Sequence, residues 1–234
     1  MKLFDRTLWC VAAWAALLPA AQAARPLITD DTGIVEAGAC QLETWVQHQR
    51  GQTDFWAVPA CNPTGNLEIG VGASRVRADG VGTTRGDAQL QAKTVLRPLS
   101  AEGWGLALAV GVVRHPADTP YRSDVYLNLP LTVPLVGESL LMHLNAGWVR
   151  TQGAGESRRT WGLAGEWRAF ERTTLLAETF GQSGGKPFVQ VGLRHTLVPD
   201  RVQLDFTAGG PARGAAAERW VSFGLRLMTP AFLQ

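Results

Sequence analysis

The sequence predicts an all-β protein, an antiparallel up-and-down transmembrane β-barrel of about 12 strands. Three observations predict it. The first residues read as an export signal, the remainder alternates with a period of two, and the face opposite the apolar one is small or polar.

Lys2 and Arg6 flank Asp5, an apolar stretch runs from Leu8 to Ala20, and Ala21-Gln22-Ala23 follows. A charged start, an apolar middle and an A-x-A end make a secretory signal, with cleavage expected after Ala23. An anchor helix would need roughly 20 apolar residues, and this stretch is about a dozen long. The signal takes Lys2, Arg6 and Asp5 with it, so of 22 Lys plus Arg and 20 Asp plus Glu, 20 and 19 remain. So balanced a charge gives no electrostatic case for nucleic acid or a strongly acidic partner. No linker or shift in composition divides the rest. The organisation expected is a signal peptide over 1–23, a periplasmic segment over 24–37 and one barrel over 38–234.

From about residue 38 the chain alternates. Trp104, Leu106, Leu108, Val110 and Val112 form one face of a strand, with Gly105, Ala107, Ala109 and Gly111 on the other. Val125–Leu131, Val189–Leu193, Val202–Phe206 and Val221–Leu227 repeat the pattern. Side chains switch faces at each strand residue, so every segment has one apolar and one small or polar face. Asn62-Pro63-Thr64-Gly65-Asn66, Ala78-Asp79-Gly80, Val136-Gly137-Glu138, Ser183-Gly184-Gly185 and Pro199-Asp200 are turns between them. Strands are expected near 39–49, 54–61, 67–77, 86–96, 103–114, 123–133, 139–150, 158–169, 173–182, 187–196, 201–209 and 218–228, an even number as in bacterial single-chain barrels. With a periplasmic N-terminus, long outer connections are expected at Ala78–Arg85, His115–Arg122, Thr151–Ser157 and Gly210–Ala217, and shorter inner ones such as Asn62–Asn66 and Phe170–Arg172. The outer turn at Arg50-Gly51 breaks that asymmetry.

A soluble β-sandwich shows the same alternation. The second face decides for the barrel. It is rich in Gly and Ala beside scattered charges, which suits a confined interior. Trp104, Trp148, Trp161, Trp167 and Trp220 lie near strand ends, where an interfacial girdle would sit.

Ala24-Arg25-Pro26-Leu27-Ile28-Thr29-Asp30-Asp31-Thr32-Gly33, followed by Gly38 and Gln41-Leu42-Glu43, resembles the opening of outer-membrane proteins grouped as "MetA-pathway of phenol degradation"-like transporters. Leu176-Ala177-Glu178 and Pro199-Asp200 before Asp205 are similar to later strands of that family. The resemblance implies a barrel, an outer-membrane address and a transport role. Its name records a genetic context, so phenol is not read as a substrate. Barrels of this kind commonly end on an aromatic residue, whereas here Phe232 is followed by Leu233 and Gln234.

Cys10 leaves with the signal, so Cys40 and Cys61 remain, and an even pair in an oxidising compartment favours a disulfide. If the first hairpin turns on Arg50-Gly51, Gln49 pairs with Gln52, Val46 with Phe55 and Cys40 with Cys61. Counting from the turn makes the last a non-hydrogen-bonded pair, with Cα atoms about 4.5 Å apart, close enough for a bridge. Pro59 removes one hydrogen bond toward the third strand and marks a candidate bulge.

Alternation turns Glu43, Glu68, Asp87, Lys93, Asp124, Glu166, Arg168, Glu178, Arg194, Asp205 and Arg226 inward. Glu178, Arg194, Asp205 and Arg226 fall on consecutive strands as acid, base, acid, base. Buried charges cost several kcal/mol unless paired, so a cross-strand ladder is expected. It either stiffens a narrow lumen or selects solutes at a mixed-charge constriction. Ala24–Ala37 can tuck into that lumen, where Asp30 and Asp31 would meet interior arginines.

Enzyme signals are poor. Gly181-Gln182-Ser183-Gly184-Gly185 echoes a serine-protease string but reads better as a glycine-rich hairpin. His48, His115, His143 and His195 are dispersed without metal-site spacing. No phosphate loop or dinucleotide fingerprint occurs, and no catalytic residue, metal or cofactor is expected. Three functions stay open: passive passage of a small solute, hydrophobic ones included; a closed structural or interaction barrel; and a lipid-modifying enzyme in which, for example, Ser222 and His143 converge. The partners implied are outer-membrane lipid, the barrel-assembly machinery and an unspecified small solute. The oligomeric state is left open.

Overall fold

Twelve strands close into one antiparallel barrel in the computed structural model, which describes residues 26–101, 103–116, 122–152, 155–214 and 218–233. The signal expected over 1–23 lies outside the described residues. The strands are β1 (Cys40–Gln49), β2 (Gln52–Cys61), β3 (Leu67–Ala78), β4 (Gly82–Arg97), β5 (Gly105–His115), β6 (Arg122–Val136), β7 (Leu140–Thr151), β8 (Glu156–Phe170), β9 (Thr173–Gln182), β10 (Phe188–Val198), β11 (Val202–Pro211) and β12 (Trp220–Met228). Each pairs with its chain neighbours, and β1 pairs with β12 over Gln41–Gln49 and Trp220–Met228, which leaves no open edge. The end holding the start of β1 and the finish of β12 is termed the near end, and the opposite one the far end.

The period-two pattern now has a direction. Leu90, Val125, Val191 and Phe223 are exposed on the outside. Gln41, Glu68, Asn128, Gln190 and Thr207, of opposite parity, are buried inside. A soluble sandwich buries its apolar face. This molecule exposes its apolar face and buries its polar one, the arrangement of a barrel surrounded by lipid.

Several boundaries differ from expectation. The connection expected over Ala78–Arg85 shrinks to Asp79–Val81, because β3 and β4 stay paired through Arg77↔Thr83 and Ala78↔Gly82. Gly80 (φ 77°) and Gly82 (φ 85°) supply the left-handed backbone of this tight turn. Conversely, the near-end connection between β4 and β5, residues 98–104, is long, so the loop asymmetry is weaker than the sequence suggests. Pro59 makes no bulge. Pairing with β3 lapses between Ala57↔Ala73 and Ala60↔Gly70 without any change of register.

Cys40 stands opposite Cys61 and is disulfide-bonded to it, with Cα atoms 4.0 Å apart. Ala39 and Asn62 make the adjacent hydrogen bond (Asn62 N–H to Ala39 C=O, 3.0 Å), so the cysteines occupy the close, non-hydrogen-bonded pair. Trp104, Trp148, Trp161 and Trp167 lie exposed on the outer surface, but Trp220 does not belong to a girdle. It points inward, 5 % exposed, and its indole N–H donates to Gln190 Oε1 (3.0 Å). A Cβ on Gly209 would collide with its ring, so only glycine leaves it room.

Candidate functional site

The barrel interior is where polar side chains from the surrounding strands converge, and the chain's own N-terminal segment lies in it. From Gly38 at the near end, the backbone runs inward to Pro26, making contacts that climb the wall toward the far end. Val35 N–H donates to Glu68 Oε2 (2.9 Å) and Thr32 N–H to Thr132 Oγ1 (3.2 Å). Higher up, Asn145 clasps Asp30 from both sides: its Oδ1 accepts the Asp30 N–H (2.8 Å) and its Nδ2 donates to the Asp30 carbonyl (2.7 Å). Glu178 accepts the N–H of Ile28 (2.9 Å) and of Thr29 (2.7 Å), and Gln190 Nε2 reaches the carbonyl of Pro26 (2.9 Å).

An irregular segment has no ladder partner for its backbone, and each buried N–H or C=O left unpaired costs about 1–3 kcal/mol. Lumen side chains fill that role here. Leu27 packs with Ala164 and Leu176 in a small apolar cluster that anchors the segment's inner end. Two wall glycines allow the close approach. A Cβ on Gly162 would stand 2.6 Å from Thr29 Oγ1, and one on Gly105 2.7 Å from Thr32 Oγ1.

The inward charges sort around this segment. Lys93 on β4 bonds Asp30 Oδ1 (2.7 Å) and Asp31 Oδ1 (3.3 Å), so a lysine meets the pair where arginines were expected. Burial alone would raise the Asp31 carboxyl, but Lys93, His143, Arg226 and the Gly33 N–H together hold it well below the usual carboxylate range. Glu43 and Arg226 face each other across β1 and β12, with Nε 3.6 Å from Oε1, while the same Nε donates to Gln41 Oε1 (2.6 Å). Arg194 grips Glu166 with both terminal nitrogens (3.0 and 3.1 Å), reaching over β9 to do so, and sits opposite Asp205 in register. Glu178, on the strand between them, is turned to the inserted backbone. Arg168 lies at the near-end rim, half exposed, 4.0 Å from Glu138.

The lumen also holds two cavities, one of which borders the segment. One, about 460 Å³, opens among Glu138, Glu166, Arg168, Arg172, Arg194 and Gln203 at the near end. A smaller one, about 230 Å³, lies between Asp30, Asp31, Gly33 and the wall residues Glu43, Lys93 and Arg226. Toward the far end the lumen turns aromatic. Trp45 and Trp56 stack with centroids 5.4 Å apart, and Phe180, Phe188 and Trp220 form a second cluster at 5.6–6.4 Å. Such a lumen offers flat apolar faces above a belt of paired charges.

Alternation in the sequence assigns charged side chains to the inner face. It gives no sign of the roles of Asn145, Thr132 and Gln190, because an amide or hydroxyl on a strand carries no signal that it will hold a distant backbone. The example pair Ser222 and His143 is not brought together. They lie on β12 and β7, and His143 Nδ1 instead meets Thr132 Oγ1 (2.9 Å) with Nε2 3.8 Å from Glu166. The string at Gly181–Gly185 is the hairpin between β9 and β10, turning at Gly184 (φ 77°).

Residues 11–229 match the model of the family described as Uncharacterised conserved protein UCP029691, not the MetA-pathway group that the opening residues resemble. No curated protein matches the sequence. Among solved structures, the fold is similar to a KdgM porin in complex with disordered oligogalacturonate (TM-score 0.64, 10% identity, 80% of this chain and 98% of that one). It is also similar to the COG4313 outer membrane channel from Pseudomonas putida F1 (0.62, 15%, 85% and 98%). A third likeness is to an active-site mutant of outer membrane phospholipase A from Escherichia coli (0.51, 12%, 83% and 91%). At these identities the likeness is one of fold, and the fold is used by channels and by an enzyme alike.

Proposed function

We propose, for a chain that belongs to the family of Uncharacterised conserved protein UCP029691, that it is an outer-membrane channel for small solutes whose lumen the segment 26–37 keeps closed at rest. One observation carries this reading. The lumen is occupied by an irregular segment of chain outside the strand ladder, and most of its bonds to the wall are polar. Withdrawal would exchange those bonds for water, uncover only the small Leu27 contact with Ala164 and Leu176, and enlarge the cavity beside Asp30 and Asp31. The solute suited to such a path is small, with polar groups for the charged belt and an apolar or aromatic part for the tryptophans and phenylalanines above it. The lipid-facing belt, together with the export signal expected over 1–23, supports the outer-membrane address.

Planar-bilayer recordings test this. Protein lacking residues 26–37 is expected to give conductance steps several times larger than the full mature chain, and Arg194→Ala or Arg226→Ala to change step size or ion selectivity. A silent deletion variant, with no swelling of proteoliposomes in small solutes, would instead support the closed structural barrel, which the segment's many bonds favour. Phospholipid turnover by the purified protein, abolished on replacing a serine, would move the assignment to a lipid-modifying enzyme.

A further inference from the structure

The outer surface near the far end carries a concentration of arginine that neither the channel reading nor the fold requires. Arg75 on β3, Arg85 on β4, Arg114 on β5, Arg150 on β7 and Arg159 on β8 are all exposed and all point away from the lumen. On the same end of the barrel, the carboxylates Asp54, Asp87 and Asp124 have inward parity, and His115 bridges the last two (2.8 and 3.3 Å). The inward charges at this end thus include both signs, with Arg158 paired to Glu156, whereas the five outward arginines have no carboxylate among the outward residues named beside them.

Register places these arginines at one level. In a tilted barrel the row of paired residues climbs by about one residue per strand relative to the membrane plane. Arg114 pairs with Ser123, Val125 with Arg150, and Trp148 with Arg159. The row falls by three residues from Arg85 to Ala88, the partner of Arg114, by two from Ser123 to Val125 and by two from Arg150 to Trp148, which offsets the climb. Arg75, Arg114, Arg150 and Arg159 thus form a band around the wall from β3 to β8.

Two further features say what meets this band. Trp148 and Trp161, both exposed, sit two residues closer to the membrane centre than Arg150 and Arg159, the position of an interfacial aromatic belt. Just before β5, Trp104 at the other border is about ten residues from Arg114, roughly 33 Å along the chain. At a tilt of about 40° this is about 25 Å of membrane normal, the height of the apolar band of outer-membrane barrels. The arginines therefore lie at the headgroup level. Moreover, Arg75 and Arg85 are direct cross-strand partners, and the other neighbour of Arg75 is Phe55. Like charges placed opposite each other repel unless an anion lies between them.

We propose that this band binds phosphate groups on the lipid headgroups of the far leaflet, with one phosphate held between Arg75 and Arg85. Guanidinium groups suit that ligand, since each presents a planar fork of donors to phosphate oxygens. The occupant is a phosphorylated glycolipid of the kind an outer leaflet exposes, held by its headgroup while its chains cover the apolar face below.

Native mass spectrometry of the full mature protein, released from detergent after incubation with bisphosphorylated lipid A, tests this. The wild type is expected to retain the lipid. Retention should fall at least tenfold with the same lipid stripped of phosphate, and equally in the variant Arg75→Gln, Arg85→Gln, Arg114→Gln, Arg150→Gln, Arg159→Gln. Arg201→Gln, at the near-end turn, should retain it like the wild type. Equal retention of phosphorylated and stripped lipid, or full retention by the five-fold variant, overturns the proposal. So does complete displacement by excess inorganic phosphate, which would mean a free-anion site and not a lipid surface. Heat-modifiable migration in gels reports folding of each variant. Should the five-fold variant not fold, Arg75→Gln with Arg85→Gln alone is expected to lower retention about threefold, and unchanged retention there equally overturns it.

Discussion

Lys93 Nζ lies 2.7 Å from Asp30 Oδ1, a buried ion pair that joins the barrel wall to the segment inside it. Both side chains are almost wholly out of water. Removing one partner of such a pair leaves the other charge uncompensated, at a cost of about 3–5 kcal/mol. Lys93→Ala is expected to loosen the segment, read as faster amide exchange over residues 26–37 and more frequent channel opening. Adding Asp30→Asn should recover much of the loss. Exchange unchanged by Lys93→Ala would show that the hydrogen bonds alone hold the segment.

Glu178 anchors the deepest part by accepting the Ile28 and Thr29 N–H groups. Charged acceptors of this kind are worth about 1.5–3 kcal/mol each. Glu178→Ala should therefore expose those two amides to exchange, whereas Glu178→Gln, which keeps an acceptor, should have the smaller effect. Exchange equally fast in both variants would argue that the charge, and not the acceptor, matters.

Asp31 predicts how closure depends on pH. Its carboxyl is held below the usual range in the folded state, and an exposed Asp titrates near 3.9. A group with a depressed folded pKa stabilises fully above its unfolded value, and that stability is lost as pH falls through the folded one. Closure should thus be constant from neutral pH to about 4.5 and weaken below about 4. Conductance measured from pH 7 to 3 should rise only at the acid end. In Asp31→Asn this part of the pH dependence should disappear.

The Cys40–Cys61 bridge closes a loop with a sequence separation of 21. Chain-entropy reasoning gives about 3 kcal/mol for a loop of that size. That is an upper figure, because β1 and β2 already pair beside it. Cys40→Ser with Cys61→Ser is expected to lower the urea midpoint of the barrel modestly while leaving conductance unchanged. Mass spectrometry under non-reducing conditions should find neither thiol open to alkylation.

Much of the fold was legible because a strand has a period of two. Trp104, Leu106 and Leu108 against Gly105, Ala107 and Ala109 announce both strand and inner face. The Cys40↔Cys61 pair was legible for a related reason: one tight turn at Arg50-Gly51 sets the register of the whole hairpin. Trp220 lies near a strand end, which suits a girdle, but it shares the inward parity of Ser222 and Arg226. Gly209 and Gln190 on other strands then give its ring room and a partner inside.

The sequence by itself determined strands and faces, since those depend on alternation within ten or so consecutive residues. Only the tertiary structure decided what occupies the interior. Asp30 meets Lys93 across 63 positions, Asp30 meets Asn145 across 115, and Thr29 meets Glu178 across 149. An irregular segment carries no period to match against a wall. Its partners are selected by barrel closure, which brings side chains of β3, β6, β7, β9 and β10 to bond one piece of backbone.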